Sequence, residues 1–148
     1  MASQNSQPAR IVVIEDNPAD VMLLRHALDE VDTSYDLEVL SDGSAALRFV
    51  SDQAALENGE PCLVILDLHL PRYEGTVILE AIRSHPHLSR LKLAVLTTLA
   101  SPAQEEKVRE LGVHLYRRKP SEWEDFRRLG EELMALCRQP AERAAYTG

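Results

Sequence analysis

Five side chains far apart in the sequence, Glu15, Asp16, Asp67, Thr97 and Lys119, carry the chemistry that a phosphoryl group and a hard metal ion require. Asp67 is the central one. It closes an apolar run over residues 62–66 and is followed by His69, Pro71 and Gly75. An aspartate carboxylate can act as a nucleophile and form an acyl phosphate. Glu15 and Asp16 close a second apolar run, residues 11–14. Carboxylates brought together repel one another and raise the pKa of at least one of them unless a cation intervenes. Mg²⁺ suits that role, because it prefers oxygen ligands and is commonly held by one or two carboxylates together with phosphate oxygens. Thr97 offers a hydroxyl to a phosphoryl oxygen, and Lys119 an ammonium that offsets charge on a group in transfer. Each residue also has a plainer reading: Glu15 and Asp16 as helix caps, Asp67 as a capping acid in a turn, Thr97 as a half-buried strand residue, Lys119 as a solvated cation. What those readings leave unexplained is that four separate strands each end in a group suited to phosphate.

The elements that must hold these residues follow from apolar periodicity. Residues 11–14, 62–66 and 93–96 are continuous apolar runs, the mark of strands covered on both faces. Tyr35, Leu37 and Val39 alternate with acids, and Val113 and Leu115 flank His114, as half-exposed edge strands do. Between them lie helical patterns. Asn17-Pro18 opens the first, which runs to about Val31; Asp42-Gly43 opens the second, with Ala46, Phe49 and Val50 inward. The third carries Ile78 and Ile82 and stops at His85-Pro86. Ser101 and Gln104 have capping-box spacing ahead of a fourth helix over residues 102–111, and Ser121 and Glu124 repeat that spacing ahead of a fifth lined by Phe126, Leu129, Leu133 and Leu136. Strand and helix therefore alternate five times, which predicts an α/β doubly wound parallel sheet. Two alternating strands at the edges fit the order 2-1-3-4-5. In such sheets ligands bind beyond the carboxyl ends of the strands, where all five chemical residues fall. The isomer of the Lys119–Pro120 bond is open at this level.

Composition narrows the function. The chain has 148 residues, a net charge of −8 and no basic block, which disfavours nucleic acid and anionic membrane as partners. No secretory signal or membrane span is expected, and a cytoplasmic protein is. Cys62 and Cys137 lack CxxC or metal-ligand spacing and are expected as reduced, buried thiols. Of the five histidines, His26, His85, His87 and His114 share no ligand spacing beyond the proximity of His85 to His87. There is no P-loop, GxSxG or GxGxxG pattern.

Glu15-Asp16, Asp67 with Pro71 and Gly75, Thr97, and Lys119-Pro120, in that order and at those intervals, closely resemble the receiver domain of two-component response regulators. The resemblance covers about residues 9–138, leaving a disordered extension at 1–8 and a frayed tail at 139–148. It implies a flavodoxin-like (βα)5 fold and a phosphoryl group accepted by Asp67 from a histidine kinase or phosphotransfer protein. It also implies Mg²⁺ held by Glu15, Asp16, Asp67 and the His69 backbone carbonyl, with phosphate contacts from Thr97 and Lys119. Tyr116 matches the family's aromatic switch position beside Thr97. His69 and Leu99 occupy positions that tune the lifetime of the phosphorylated state. Output is then expected through a downstream protein target, with homodimerisation through helix four, strand five and helix five as one route. A weaker resemblance points to regulators partnered with phytochrome-type sensor kinases. The chain is expected to be a switch and not a turnover enzyme. The alternatives are a phosphate-ester hydrolase using the same acids, which would need an acid where His69 stands, and a receiver-like scaffold that takes no phosphate, against which the complete acid set argues.

Overall fold

The computed structural model describes residues 8–52, 60–88, 91–140 and 146–147. Strands β1 (Ala9–Ile14), β2 (Tyr35–Leu40), β3 (Leu63–Asp67), β4 (Leu93–Thr97) and β5 (Leu115–Arg118) form one sheet in the order β2-β1-β3-β4-β5. Every pairing is parallel. The helices are α1 (Pro18–Val31), α2 (Gly43–Ser51), α3 (Gly75–Ser84), α4 (Pro102–Glu110) and α5 (Trp123–Arg138). The fold is the predicted one. β3 and β4 are buried along their whole length, while β2 alternates.

The sheet divides two cores by strand alternation. Ile11, Val13, Leu63, Ile65, Ala94 and Leu96 point toward α1 and α5, against Leu24, Leu28, Leu129 and Leu133. Val12, Ile14, Val64, Leu66, Leu93 and Val95 face α2, α3 and α4, against Phe49, Ile78, Ile82 and Val108. α1 and α5 approach closely because Gly130 lacks a side chain. A Cβ there would stand 2.7 Å from the Ala27 carbonyl oxygen.

Several helix starts follow their local chemistry. Asn17 Oδ1 accepts from Ala19 N–H at 2.9 Å, Asp42 Oδ1 from Ala45 N–H at 2.7 Å and Ser101 Oγ from Gln104 N–H at 3.1 Å. The expected Ser121 cap does not form. α5 begins at Trp123 behind Glu122, and Glu124 is drawn to Arg127 at 2.7 Å instead of turning back on the backbone.

One other expectation is corrected. Cys62 and Cys137 are joined in a disulfide with Cα atoms 5.2 Å apart, because the end of α5 packs beside the start of β3. Sequence spacing carries no sign of that proximity. The buried Lys92 reinforces the join by donating to the carbonyls of Leu136 (2.7 Å), Cys137 (3.0 Å) and Gln139, which caps α5 with a cation. Of the expected tail, Tyr146 and Thr147 lie on α4 and β5, whereas residues 141–145 and 148, like residues 1–7 of the expected extension, lie outside the described residues. The Lys119–Pro120 bond is trans, like the other peptide bonds among the described residues.

Candidate functional site

Parallel strands place their carboxyl ends along one rim, and the register fixes which residues meet there. Asp67 is the last residue of β3, opposite Leu96, and 4% exposed. Thr97 ends β4 and is wholly buried. Glu15 follows β1 directly and stays on the sheet through its N–H, which donates to the Leu40 carbonyl at 3.0 Å. Lys119 follows β5, and its N–H donates to the Thr97 carbonyl at 2.7 Å. The loop after Asp67 is held tightly. His69 N–H donates to Asp67 Oδ1 at 3.0 Å, Gly75 N–H donates to the Leu68 carbonyl at 3.1 Å, and Arg72 adopts a left-handed φ of 71°. A Cβ on Gly75 would come within 2.7 Å of the Leu68 backbone, so only glycine lets α3 start so close to the strand end.

Charge then organises the rim. The Lys119 ammonium lies 2.7 Å from Glu15 Oε1, 2.8 Å from Asp20 Oδ2 and 3.2 Å from Asp67 Oδ2. Burial alone would lower its pKa, but the bonds to Asp20 and Glu15 outweigh that and hold it raised. Asp20 is the member that sequence reasoning missed. It stands in the first turn of α1, where an acid reads as a partner of the helix dipole; its spacing of four from Asp16 was the available signal. Glu15 is pushed up to about 7, chiefly by burial and further by the Asp67 charge, against the opposing pull of Lys119.

Glu15, Asp16 and Asp67 offer carboxylate oxygens all within 4.8 Å of one another, with Glu15 and Asp67 buried and Asp16 exposed. This all-oxygen donor set fits a hard divalent cation. That the fold already brings an ammonium to Glu15 and Asp67 shows the need for positive charge at this place. A pH dependence follows from Glu15. A cation bound through its carboxylate must displace the proton it carries below about pH 7. Affinity should therefore be flat above that pH and fall about tenfold per unit below it. Calorimetry of Mg²⁺ binding in two buffers of different ionisation heat should find about one proton released at pH 6 and almost none at pH 8. Proton release that is the same at both values would remove Glu15 from the cation site.

The remaining candidates divide. His69 Nε2 lies 3.0 Å from Thr97 Oγ1, so the imidazole of one loop is engaged with the hydroxyl of the next. Neither sequence spacing nor residue type announced that contact. Tyr116 is buried and turned away from the acids: its hydroxyl donates to Gln104 Oε1 at 2.6 Å and accepts from Ser101 N–H at 3.3 Å, both in or next to α4. Leu99 is 68% exposed and takes no part in the core.

Comparison with known proteins extends the geometry. The family model of the response regulator receiver domain matches residues 11–129. Response regulator Rcp1 of Synechocystis sp. is 33% identical over 127 residues, which cover 85% of this chain and 86% of that protein. The Mn²⁺-bound form of Rcp1 superposes with a TM-score of 0.76 at 32% identity, covering 86% of this chain and 93% of that one. The phosphorylated cyanobacterial phytochrome response regulator RcpA superposes with a TM-score of 0.75 at 27% identity, covering 84% and 90%. With the sheet order, the acidic rim and a family match over most of its length in agreement, the chain belongs to the response regulator receiver domains, which two-component signalling phosphorylates on an aspartate.

Proposed function

We propose that Asp67 is the phosphoacceptor and that the chain is a phosphorylation-controlled binding module. The observation that carries this is the position of Asp67: it is the buried acid at the end of the central strand, within reach of both an ammonium and two further acids. In the transfer, an Asp67 carboxylate oxygen bonds to phosphorus as the P–N bond of a phosphohistidine breaks, and the imidazole leaves with a proton. Lys119 offsets negative charge on the transferring group, and Thr97 supplies a hydrogen bond to one of its oxygens. Glu15, Asp16, Asp67 and the His69 carbonyl would hold Mg²⁺, which supplies charge neutralisation and an anchor for phosphoryl oxygens.

The new charge beside Thr97 draws its hydroxyl from His69 toward the phosphoryl group, and this biases the α4–β5–α5 face through Tyr116. That face then binds a downstream protein or a second copy of the chain. The phosphodonor is a histidine kinase or phosphotransfer protein. The likeness to Rcp1 and to RcpA, a phytochrome response regulator, supports a kinase of the phytochrome type. The cytoplasmic setting is inferred from this kinase chemistry, since a disulfide taken alone favours an oxidising compartment. No described helix is long and apolar enough to cross a membrane. Incubation with acetyl phosphate and Mg²⁺ tests the reading: intact mass should rise by one phosphoryl group per chain, and an unchanged mass would reject it.

Slow self-dephosphorylation is expected. The exposed Leu99 side chain carries no group that can orient an attacking water, and it can lie over the acyl phosphate without leaving the core. Leu99→Gln or Leu99→Glu introduces a group that can orient water. Phosphate release should then quicken severalfold, about 1 kcal/mol of barrier. Decay that is unchanged or slower in both variants would show that Leu99 does not guard the site.

A further inference from the structure

β5 is the edge of the sheet, yet its edge is not bare. Tyr116 N–H donates to the Thr147 carbonyl at 3.0 Å, and Thr147 N–H donates to the His114 carbonyl at 2.7 Å, a parallel bridge that sets Thr147 beside Leu115. Arg117 Nη1 reaches the same Thr147 carbonyl at 3.3 Å. The residue before it is tied to a different element. Tyr146 packs against the core that contains Tyr116 and Val108, its hydroxyl is hydrogen-bonded to Glu105, and the Arg109 guanidinium lies 5.4 Å from its ring centre. Two adjacent residues thus clip the strand to the helix.

We propose that the chain's own Tyr146–Thr147 occupies the α4–β5 edge in the resting state as an intramolecular strap. The proposal rests on the reading above, in which this face rearranges on phosphorylation. Pairing with a sheet edge satisfies backbone groups that would otherwise template association, and it is the way extended peptides recognise such edges. The strap fits one arrangement of the two elements. Tyr116 is fastened to α4 through Gln104 and Ser101, so a switch that breaks these bonds frees β5 and α4 to shift relative to one another under Tyr146 and Thr147. Adjacent residues cannot follow both. Strap docking and the phosphorylated arrangement therefore oppose one another, and the coupling is reciprocal: whatever loosens the strap favours the active arrangement by the same factor.

The test uses the full chain with beryllofluoride and Mg²⁺ as the phosphoryl mimic. In the variant Tyr146→Ala/Thr147→Pro the anchor ring and the N–H that pairs with His114 are both removed. Thr147 is exposed and Tyr146 only half-buried, so the fold should persist, and thermal unfolding checks that. Beryllofluoride should speed amide exchange at Tyr116 and Thr147 in the wild type. The variant should show fast Tyr116 exchange from the outset and bind beryllofluoride about fivefold more tightly by calorimetry. Equal or weaker binding in the variant, or unaltered wild-type exchange at both amides, would overturn the strap. So would protection of Tyr116 that grows with protein concentration, because the segment would then act between copies. A wild type that takes up no phosphoryl group from acetyl phosphate would instead reject the functional reading itself; uptake without any effect of the variant rejects only the strap.

Discussion

Asp67→Asn should reduce phosphoryl uptake from acetyl phosphate and Mg²⁺ below detection by intact mass, while the chain still folds. The amide keeps the size of the side chain and an oxygen that can accept from His69 N–H, but it has no carboxylate to attack phosphorus. The fold does not depend on the lost charge. Lys119 retains Glu15 at 2.7 Å and Asp20 at 2.8 Å, and removing Asp67 relieves one of the causes that raise Glu15. Stability should therefore be unchanged or greater by up to about 1 kcal/mol. The combination matters, since a variant that merely unfolds would lose uptake and stability together. Full uptake in folded Asp67→Asn would move the acceptor to Glu15, Asp16 or Asp20, the other acids at the rim.

How much of this arrangement was legible depends on whether the signal was local. The apolar runs ending in Asp67 and Thr97 declare buried strands, and the alternation through Tyr35 and Leu37 declares an edge, because burial acts residue by residue on side chains of known polarity. The rim follows from those strand ends, but the other edge departs from the alternation expected of it: β5 starts at Leu115, leaves Val113 outside, and buries both Leu115 and Tyr116. What stayed hidden depends on partners remote in sequence. The Asp20–Lys119 pair spans 99 positions, and the Cys62–Cys137 link spans 75. The docking of Thr147 on β5 leaves no mark in its own residue type, since threonine at that place reads as an ordinary tail residue. Ser121 shows the converse: the capping-box spacing is present, but α5 starts one residue later, with Glu122 at the N-cap position, and the box does not form. His69 combines the two. Its N–H contact with Asp67 Oδ1 is local to the loop, whereas its ring contact with Thr97 requires two loops to meet.

Lys119→Met should cost about 3–5 kcal/mol of stability in chelator, as expected when one member of a buried ionic cluster is removed and its partners are left without compensation. The side chain is only 12% exposed, and it is the cation shared by Glu15, Asp20 and Asp67. Methionine fills much the same volume, so the loss is electrostatic and not a cavity. Protonation limits the cost. Glu15 already sits at about 7 with the ammonium beside it, and without that partner its pKa rises further. The sign follows from linkage. A folded-state value above the ordinary 4.5 means that stability is greatest at low pH and is lost as pH rises from about 4.5 through the folded value. That window extends to higher pH in the variant, so its deficit relative to wild type should be largest near pH 8 and shrink toward pH 5. Mg²⁺ should restore more stability to Lys119→Met than it adds to wild type, because in the variant the cation no longer competes with an ammonium for Glu15 and Asp67. Urea unfolding at the two pH values, with and without Mg²⁺, measures all three effects. Identical midpoints for variant and wild type in chelator at pH 8 would mean that the rim acids do not need the ammonium, and the electrostatic account of the site would have to be abandoned.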